Sequence, residues 1–225
     1  MRLHFVLAES ALELVPKEIQ RTPAVISDSR RRQAEPSRIL LDRSFHHSAM
    51  ARLGDGEKRG RPDLVHTALL SLTGSPLFLD GMMRVYVHTC QNVVLELEEG
   101  TRIPKSYLRF RGLAEKLLSE RPTEGLVKVY PAGVKDLVRK VVAPDLTIGL
   151  STQGAPATPE EVGRAAAASK RPCVLVGGFP HGHFTRETLA VVDRLVRVHP
   201  RPLEAHVVAA RIVYEAEKAS DEMND

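Results

Sequence analysis

The sequence predicts an α/β fold with a mostly parallel sheet. Two observations carry that prediction. From about residue 124 onward, short runs rich in Val, Leu and Ile alternate with helical patterns: "GLVKVY" before "GVKDLVRKVV", "LTIGLS" before "TPEEVGRAAAAS", and "PCVLVGG" before "TRETLAVVDRL". The composition agrees, with 43% apolar and 27% charged residues over 225 positions. That length suits one large domain, and with aromatics at 4% and no Trp its core must be aliphatic.

Taken in order, "RLHFVLAE" reads as a strand and "SALELVPKEIQ" as a short helix. Residues 21–37 are polar and Pro-bearing and hold Arg30, Arg31 and Arg32. They read as a flexible basic arm, either a solvated loop or a mobile segment that meets phosphates. "ILLD" looks like a strand. "GRPDLVHTALLSL" is a helix, with Pro62 at its first position, Asp63 in its first turn, and Leu64, Val65, Ala68, Leu69 and Leu72 in one apolar stripe. "MRVYVHT" and "NVVLELEE" alternate like paired strands across a short turn. "IPKSYLRFRGLAEKLLSE" is a helix beginning at Pro104. Tyr107, Phe110, Ala114, Leu117 and Leu118 take one side of it, and Lys105, Arg109 and Lys116 the other. A last helix from Pro202 places Leu203, Val207, Ala210 and Tyr214 on one face.

Several function classes drop out early. No apolar run approaches membrane-spanning length and the start lacks a signal-peptide pattern, so a cytoplasmic protein without a membrane partner is expected. Cys90 and Cys173 lack a CxxC pattern and read as reduced core residues. The pairs His46/His47 and His181/His183 complete no ligand set, so no metal is expected. Ser48 and Ser151 lack the context of a nucleophile elbow.

The net charge of +4 says little alone; its distribution says more. Arg59 and Arg61 lead into one helix. Arg102, Lys105 and Arg109 lead into and along another, with a spacing that predicts one helical face. Such a face is either simply solvated or built for phosphates. Two helix starts with clustered cations, together with the arginine run, favour phosphates.

"CVLVGGFPHGHF" raises a question of its own. A buried strand stops in two glycines, which serve either a turn needing positive φ or a ligand that touches the backbone. Open α/β sheets bind ligands beyond the carboxyl ends of their strands. Three late strands end in "IGLSTQGAPATP", "GGFPHGHF" and "VRVHPRPLEA". None carries GxGxxG or GxxxxGKS/T, which disfavours a dinucleotide-dependent enzyme. Spacing alone leaves a backbone-lined small-molecule pocket and plain turns both open.

Six segments in order, "DRSFHHSAM", "RGRPDLVHTALLSL", "SPLFLDGMMRVYVHT", "TRIPKSYLRFRGL", "VGGFPHG" and "RPLEAHVVAARIVYE", resemble the pseudouridine-specific N1-methyltransferases of small-subunit rRNA, a ribosome-biogenesis group of the SPOUT class. The resemblance covers the chain except the 21–37 arm and the acidic C-terminal tail. It implies one SPOUT-type α/β domain with a C-terminal trefoil knot and a family-specific insertion. An RNA-binding extension would span about 38–122 and a knotted cofactor-binding part about 124–220. It further implies a homodimer, S-adenosylmethionine as cofactor, small-subunit rRNA as substrate, and other ribosome assembly factors as possible partners. Carried over by position, the cofactor pocket would comprise Leu150, Gly177, Gly182, Val196, Arg197, Val198, His199, Pro200, Arg201 and Leu203. Arg59, Arg61, Arg102, Lys105 and Arg109 would contact rRNA. No general base is assigned; Asp63 is the nearest acidic candidate, and it can equally stabilise its own helix start. The family often has serine, asparagine and tyrosine before the final Pro-Leu, where this chain reads "VHPRPLEA", so side-chain roles for His199 and Arg201 do not follow. Two rivals remain: an RNA-binding assembly factor whose methyl transfer is dispensable, and a SPOUT enzyme for another RNA position.

Overall fold

A computed structural model of the chain describes residues 2–222. Seven strands form one sheet in the order β4-β3-β2-β1-β6-β5-β7. The strands are β1 (Leu3–Ser10), β2 (Met83–Thr89), β3 (Val93–Leu97), β4 (Val127–Pro131), β5 (Leu146–Pro156), β6 (Pro172–Gly177) and β7 (Arg194–Arg197). From β2 through β1, β6 and β5 to β7 every pairing is parallel; β3 and β4 extend the sheet antiparallel. The "GLVKVY" strand therefore joins the antiparallel edge rather than the parallel core.

Every residue of β1 is buried, because the central strand is covered on both faces. Leu3, Phe5 and Leu7 point into one core, while Val6 and Ala8 point into the other. The first core is closed by α3 (Pro62–Thr73), α4 (Pro76–Leu79), α5 (Tyr107–Glu120), α7 (Pro159–Ala167) and α9 (Ala205–Glu222). A short helix α6 (Val134–Asp136) running into a π-turn (Leu137–Val142) helps close the second.

The segment expected as a short helix at 10–20 is instead extended as far as Pro16 and then turns over 17–20. Val15 donates its N–H to Ile39, Leu41 donates to Glu13, and Leu14 bridges Leu40. Pro16 keeps Val15 out of the helical region, and "ILLD" supplies the partner. The expected flexible arm at 21–37 is also corrected. Residues Pro23–Arg32 form helix α1, packed on α2 (Arg43–Met50) through Val25, Ala49 and Met50. Its Asp28 carboxylate is buried against Arg31, Arg32 and His46, and Arg32 reaches Glu115 on α5 at 2.5 Å. Arg32, which composition assigns to solvent, thus staples the helix down, while Arg30 and Arg31 stay exposed.

Two further boundaries differ. In "TRETLAVVDRL" only Arg186–Leu189 is helical (α8), and the chain turns so that Asp193 accepts the N–H of Thr147 at 2.7 Å before β7 begins. The buried stripe of α9 is Val208, Ala209, Ile212, Val213, Ala216 and Ala219, on nearly the opposite side of the helix from the expected face. Ala210 and Tyr214 face outward, and Tyr214 is 58% exposed. In the acidic tail, positions 223–225 lie outside the described residues. Among the described residues, no helix is long and apolar enough to cross a membrane.

Candidate functional site

The middle of β5 and the carboxyl ends of β6 and β7 open into one cavity of about 660 Å³. This is where an open parallel sheet places its ligand, and the volume is ordinary for a small-molecule site. All three stretches singled out in the sequence contribute: Leu150, Ser151 and Thr152, which lie within β5 because the strand continues through the expected loop to Pro156; Gly177 at the end of β6 with Phe179 through Phe184 beyond it; and Arg197 at the end of β7 with Val198, His199 and Arg201 to Ala205 beyond it. Val207 and Val208 of α9 close one wall, and Leu64 of α3 with Arg61 just before that helix another.

Of the expected cofactor residues, Leu150, Gly177, Gly182, Arg197, Val198, His199, Arg201 and Leu203 line the cavity. Val196 is instead buried in the core beneath it and Pro200 is exposed; neither is part of the lining. Ser151, Thr152, Phe179, His181, His183 and Glu204 line it without having been singled out as pocket residues. Their sequence signal as pocket residues is their place in the three stretches singled out beyond the late strands.

The glycine question has a divided answer. Gly182 has φ +96 and serves the turn. Gly178 is needed for close packing, since a Cβ there would run into Ser10 at the end of β1. At Gly177 a Cβ would meet the Phe179 ring at 2.8 Å, and Phe179 is itself a wall of the cavity. A bare backbone at Gly177 thus lets an aromatic wall fold over it.

The loop is secured from beneath by Glu9. Its Oε1 accepts from Thr185 N at 2.7 Å, Thr185 Oγ1 at 2.9 Å and Thr188 Oγ1 at 2.6 Å, while Lys58 Nζ donates to Oε2 at 3.0 Å. Burial alone would raise the Glu9 carboxyl, but these hydrogen bonds outweigh it and hold the pKa below its ordinary value.

The basic residues separate into two kinds. Arg59 does not face outward: its Nε and Nη2 hold Glu13 at 2.7 and 2.6 Å, and the Glu13 side chain is 1% exposed. The same carboxylate also accepts from Gln91 and Cys90. Arg102 and Lys105 do not share a helical face with Arg109, because α5 begins only at Tyr107; they lie in the extended lead-in. Arg102, Lys105 and Arg109 are nonetheless exposed.

Arg61 is where the two halves of the site meet. It lines the cavity and clasps Asp63, Nε to Oδ1 at 2.9 Å and Nη2 to Oδ2 at 2.8 Å. Burial would raise the Asp63 carboxyl; the hydrogen bonds and charge of Arg61 prevail and lower it. Among the described residues, no cluster of His, Cys, Asp or Glu could hold a metal ion. Cys173 is buried in β6, and Cys90 is partly buried just beyond β2.

With this geometry in view, comparison with known proteins is decisive. The sequence profile of the EMG1/NEP1 methyltransferase family matches residues 5–217. The chain belongs to the EMG1/NEP1 methyltransferase family. It is 39% identical over 215 residues to the ribosomal RNA small subunit methyltransferase Nep1 of Thermococcus sibiricus, covering 94% of this chain and 96% of that protein. It is 42% identical over 220 residues to the same enzyme of Pyrobaculum neutrophilum, covering 96% and 97%. The crystal structure of Archaeoglobus fulgidus Nep1 bound to S-adenosylhomocysteine superposes with a TM-score of 0.85 at 36% identity, covering 97% of this chain and 99% of that one. The fold is thus the SPOUT-type fold of this family.

The residues present fit an adenosyl-amino-acid cofactor. Leu150, Val176, Leu203 and Val208 give apolar walls, Ser151 and Thr152 bring hydroxyls, and the bare backbone at Gly177 lets the Phe179 ring complete the lining as an aromatic wall.

Proposed function

We propose that this chain methylates N1 of a pseudouridine in small-subunit rRNA, with S-adenosylmethionine as donor. One observation carries the reading: the cavity at β5, β6 and β7 is walled on one side by Arg61, so a cofactor pocket and an RNA-facing cation share one opening. When bound, S-adenosylmethionine supplies a methyl group already activated by its sulfonium. The chain's own contribution is alignment and exclusion of water. Leu150, Phe179 and Leu203 shield the reacting region, and Arg61, held by Asp63, steadies the target nucleotide at the mouth.

Asp63 acts by orienting Arg61 rather than by taking a proton. Both its oxygens are engaged and its pKa is lowered, which makes it a weak base. Arg102, Lys105 and Arg109 are proposed as phosphate contacts along the approach to the cavity. Arg59 is assigned to Glu13 and the fold.

The C-terminal part is proposed to be knotted. β5 pairs with β7 twice, at Ile148 to Leu150 and again at Ala155 and Pro156, and Gly154 packs directly on the Val196 backbone. A homodimer is proposed through the outward face of α9, where Ala210 and Tyr214 stand exposed and Tyr214 borders Pro159. Work on rRNA makes the cytoplasm the proposed compartment, with other assembly factors as companions.

The test is chemical. An rRNA hairpin carrying pseudouridine, incubated with labelled donor and digested to nucleosides, should yield N1-methylpseudouridine. Label on another nucleoside would sink the assignment of the target atom.

A further inference from the structure

Lys58 is not part of the cavity lining, yet it touches the loop that forms one wall. It belongs to a 3₁₀ turn (Gly56–Lys58) in the segment that carries Arg59 and Arg61. From there its ammonium reaches three groups at once. It donates to Glu9 Oε2 at 3.0 Å, donates to the main-chain carbonyl of His183, and sits 4.4 Å from the centre of the Phe179 ring. A Cβ on Gly182 would come within 2.9 Å of Lys58 Cε, so the side chain runs along the loop.

The loop is thus pinned at three places by three devices. Gly178 bonds to Ala8 and Ala11 of the frame, Thr185 bonds to Glu9, and between them His183 and Phe179 are held by Lys58. The first two anchors belong to the sheet and its buried carboxylate. The third comes from an irregular turn where Asp55 and Gly60 have φ of 53 and 67, flanked by the arginine that walls the cavity. Glu9 joins all of it, accepting from Lys58 on one oxygen and from α8 on the other.

We infer that Lys58 is a positioning residue that ties the rRNA-facing Gly56–Asp63 segment to the cofactor-facing Phe179–Phe184 loop, so that rRNA and cofactor each tighten the other's binding. The inference rests on the cavity being the cofactor site. RNA that settles on Arg61 fixes the turn, and with it the Lys58 stem and the loop it holds. The cofactor then meets a wall already ordered, and by linkage the reverse holds equally.

The experiment titrates S-adenosylhomocysteine into wild-type protein, Lys58→Met and Lys58→Arg, each alone and saturated with a pseudouridine-bearing rRNA hairpin. Lys58→Met keeps an apolar stem against Phe179 and removes only the ammonium. Wild type is expected to bind about fivefold or more tighter with the hairpin present, the lower end of measured couplings. In Lys58→Met that ratio should fall to about one, and hydrogen exchange at 182–184 should become insensitive to the hairpin; Lys58→Arg should restore most of the ratio. A Lys58→Met protein with the wild-type ratio, even if uniformly weaker, makes the residue merely structural and overturns the inference. Wild type that binds S-adenosylhomocysteine equally with and without hairpin overturns it too, leaving the cofactor site intact. Wild type that does not bind S-adenosylhomocysteine at all defeats the cofactor reading itself.

Discussion

Arg61 and Asp63, two residues apart where α3 begins, close on each other through two parallel hydrogen bonds of 2.9 and 2.8 Å at the cavity mouth. The pair fixes a planar guanidinium in one orientation. The Asp63 side chain is 49% exposed, so the pair adds little to stability, and its value lies in placement.

Asp63→Asn should therefore lower methyl transfer about tenfold, mostly through weaker RNA engagement, with thermal stability nearly unchanged. Single-turnover rates at saturating RNA separate the roles. A rate that collapses at saturation, with RNA affinity intact, would restore Asp63 as the base.

Arg59 and Lys105 make a matched contrast. Arg59→Ala strands the buried Glu13 carboxylate and should cost about 3 kcal/mol of stability, while the salt dependence of RNA binding stays the same. Lys105→Ala should leave the melting temperature alone and reduce the slope of log affinity against log salt by about one. Thermal melts and salt titrations of both variants decide it, and exchanged behaviour would contradict the division drawn here.

A valine at Gly177 cannot coexist with the present position of Phe179. Gly177→Val should weaken S-adenosylhomocysteine binding more than tenfold while RNA affinity stays within about twofold. An unaltered cofactor titration would remove Gly177 from the site.

Acid should destabilise the protein through its buried histidines. His4 is pushed down to about 4, first by burial and then by the charges of Arg171, Arg2 and Arg84; burial also lowers His46 and His88. A lowered pKa means the unfolded chain binds more protons, so this stability is complete above the ordinary histidine value of 6.5 and, for His4, drains away down to about pH 4. Melting temperature should fall steadily across that window, and His4→Gln should flatten the fall. Parallel curves for the two proteins would show that His4 is not responsible.

Much of this was legible in the sequence because single elements announce themselves. The apolar run through β1, the Pro62 start of α3 and the abrupt glycines after β6 each specify local geometry that the fold keeps. What stayed hidden depends on partners distant in sequence. Nothing near Arg32 says that Glu115 will meet it, so an arginine run reads as solvent-facing when Arg32 anchors a helix. Arg59 reads as an RNA contact until Glu13 is seen behind it. The α9 stripe falls on nearly the opposite side of the helix from the expected one because both sets, 203/207/210/214 and 208/209/212/213/216/219, are apolar, and only the packing of α9 against α3 and α7 chooses between them. The pocket residues Ser151, Thr152 and Glu204 carry no motif and become visible only when three stretches converge.

The measurement that tests the central claim most directly is methyl transfer from labelled S-adenosylmethionine to two rRNA hairpins identical except at one position, pseudouridine in one and uridine in the other. The account predicts transfer to the pseudouridine hairpin alone. Equal transfer to both would keep a methyltransferase but contradict the specificity. Absence of transfer to either, with cofactor and hairpin both bound, would contradict the enzyme assignment and favour an RNA-binding assembly factor.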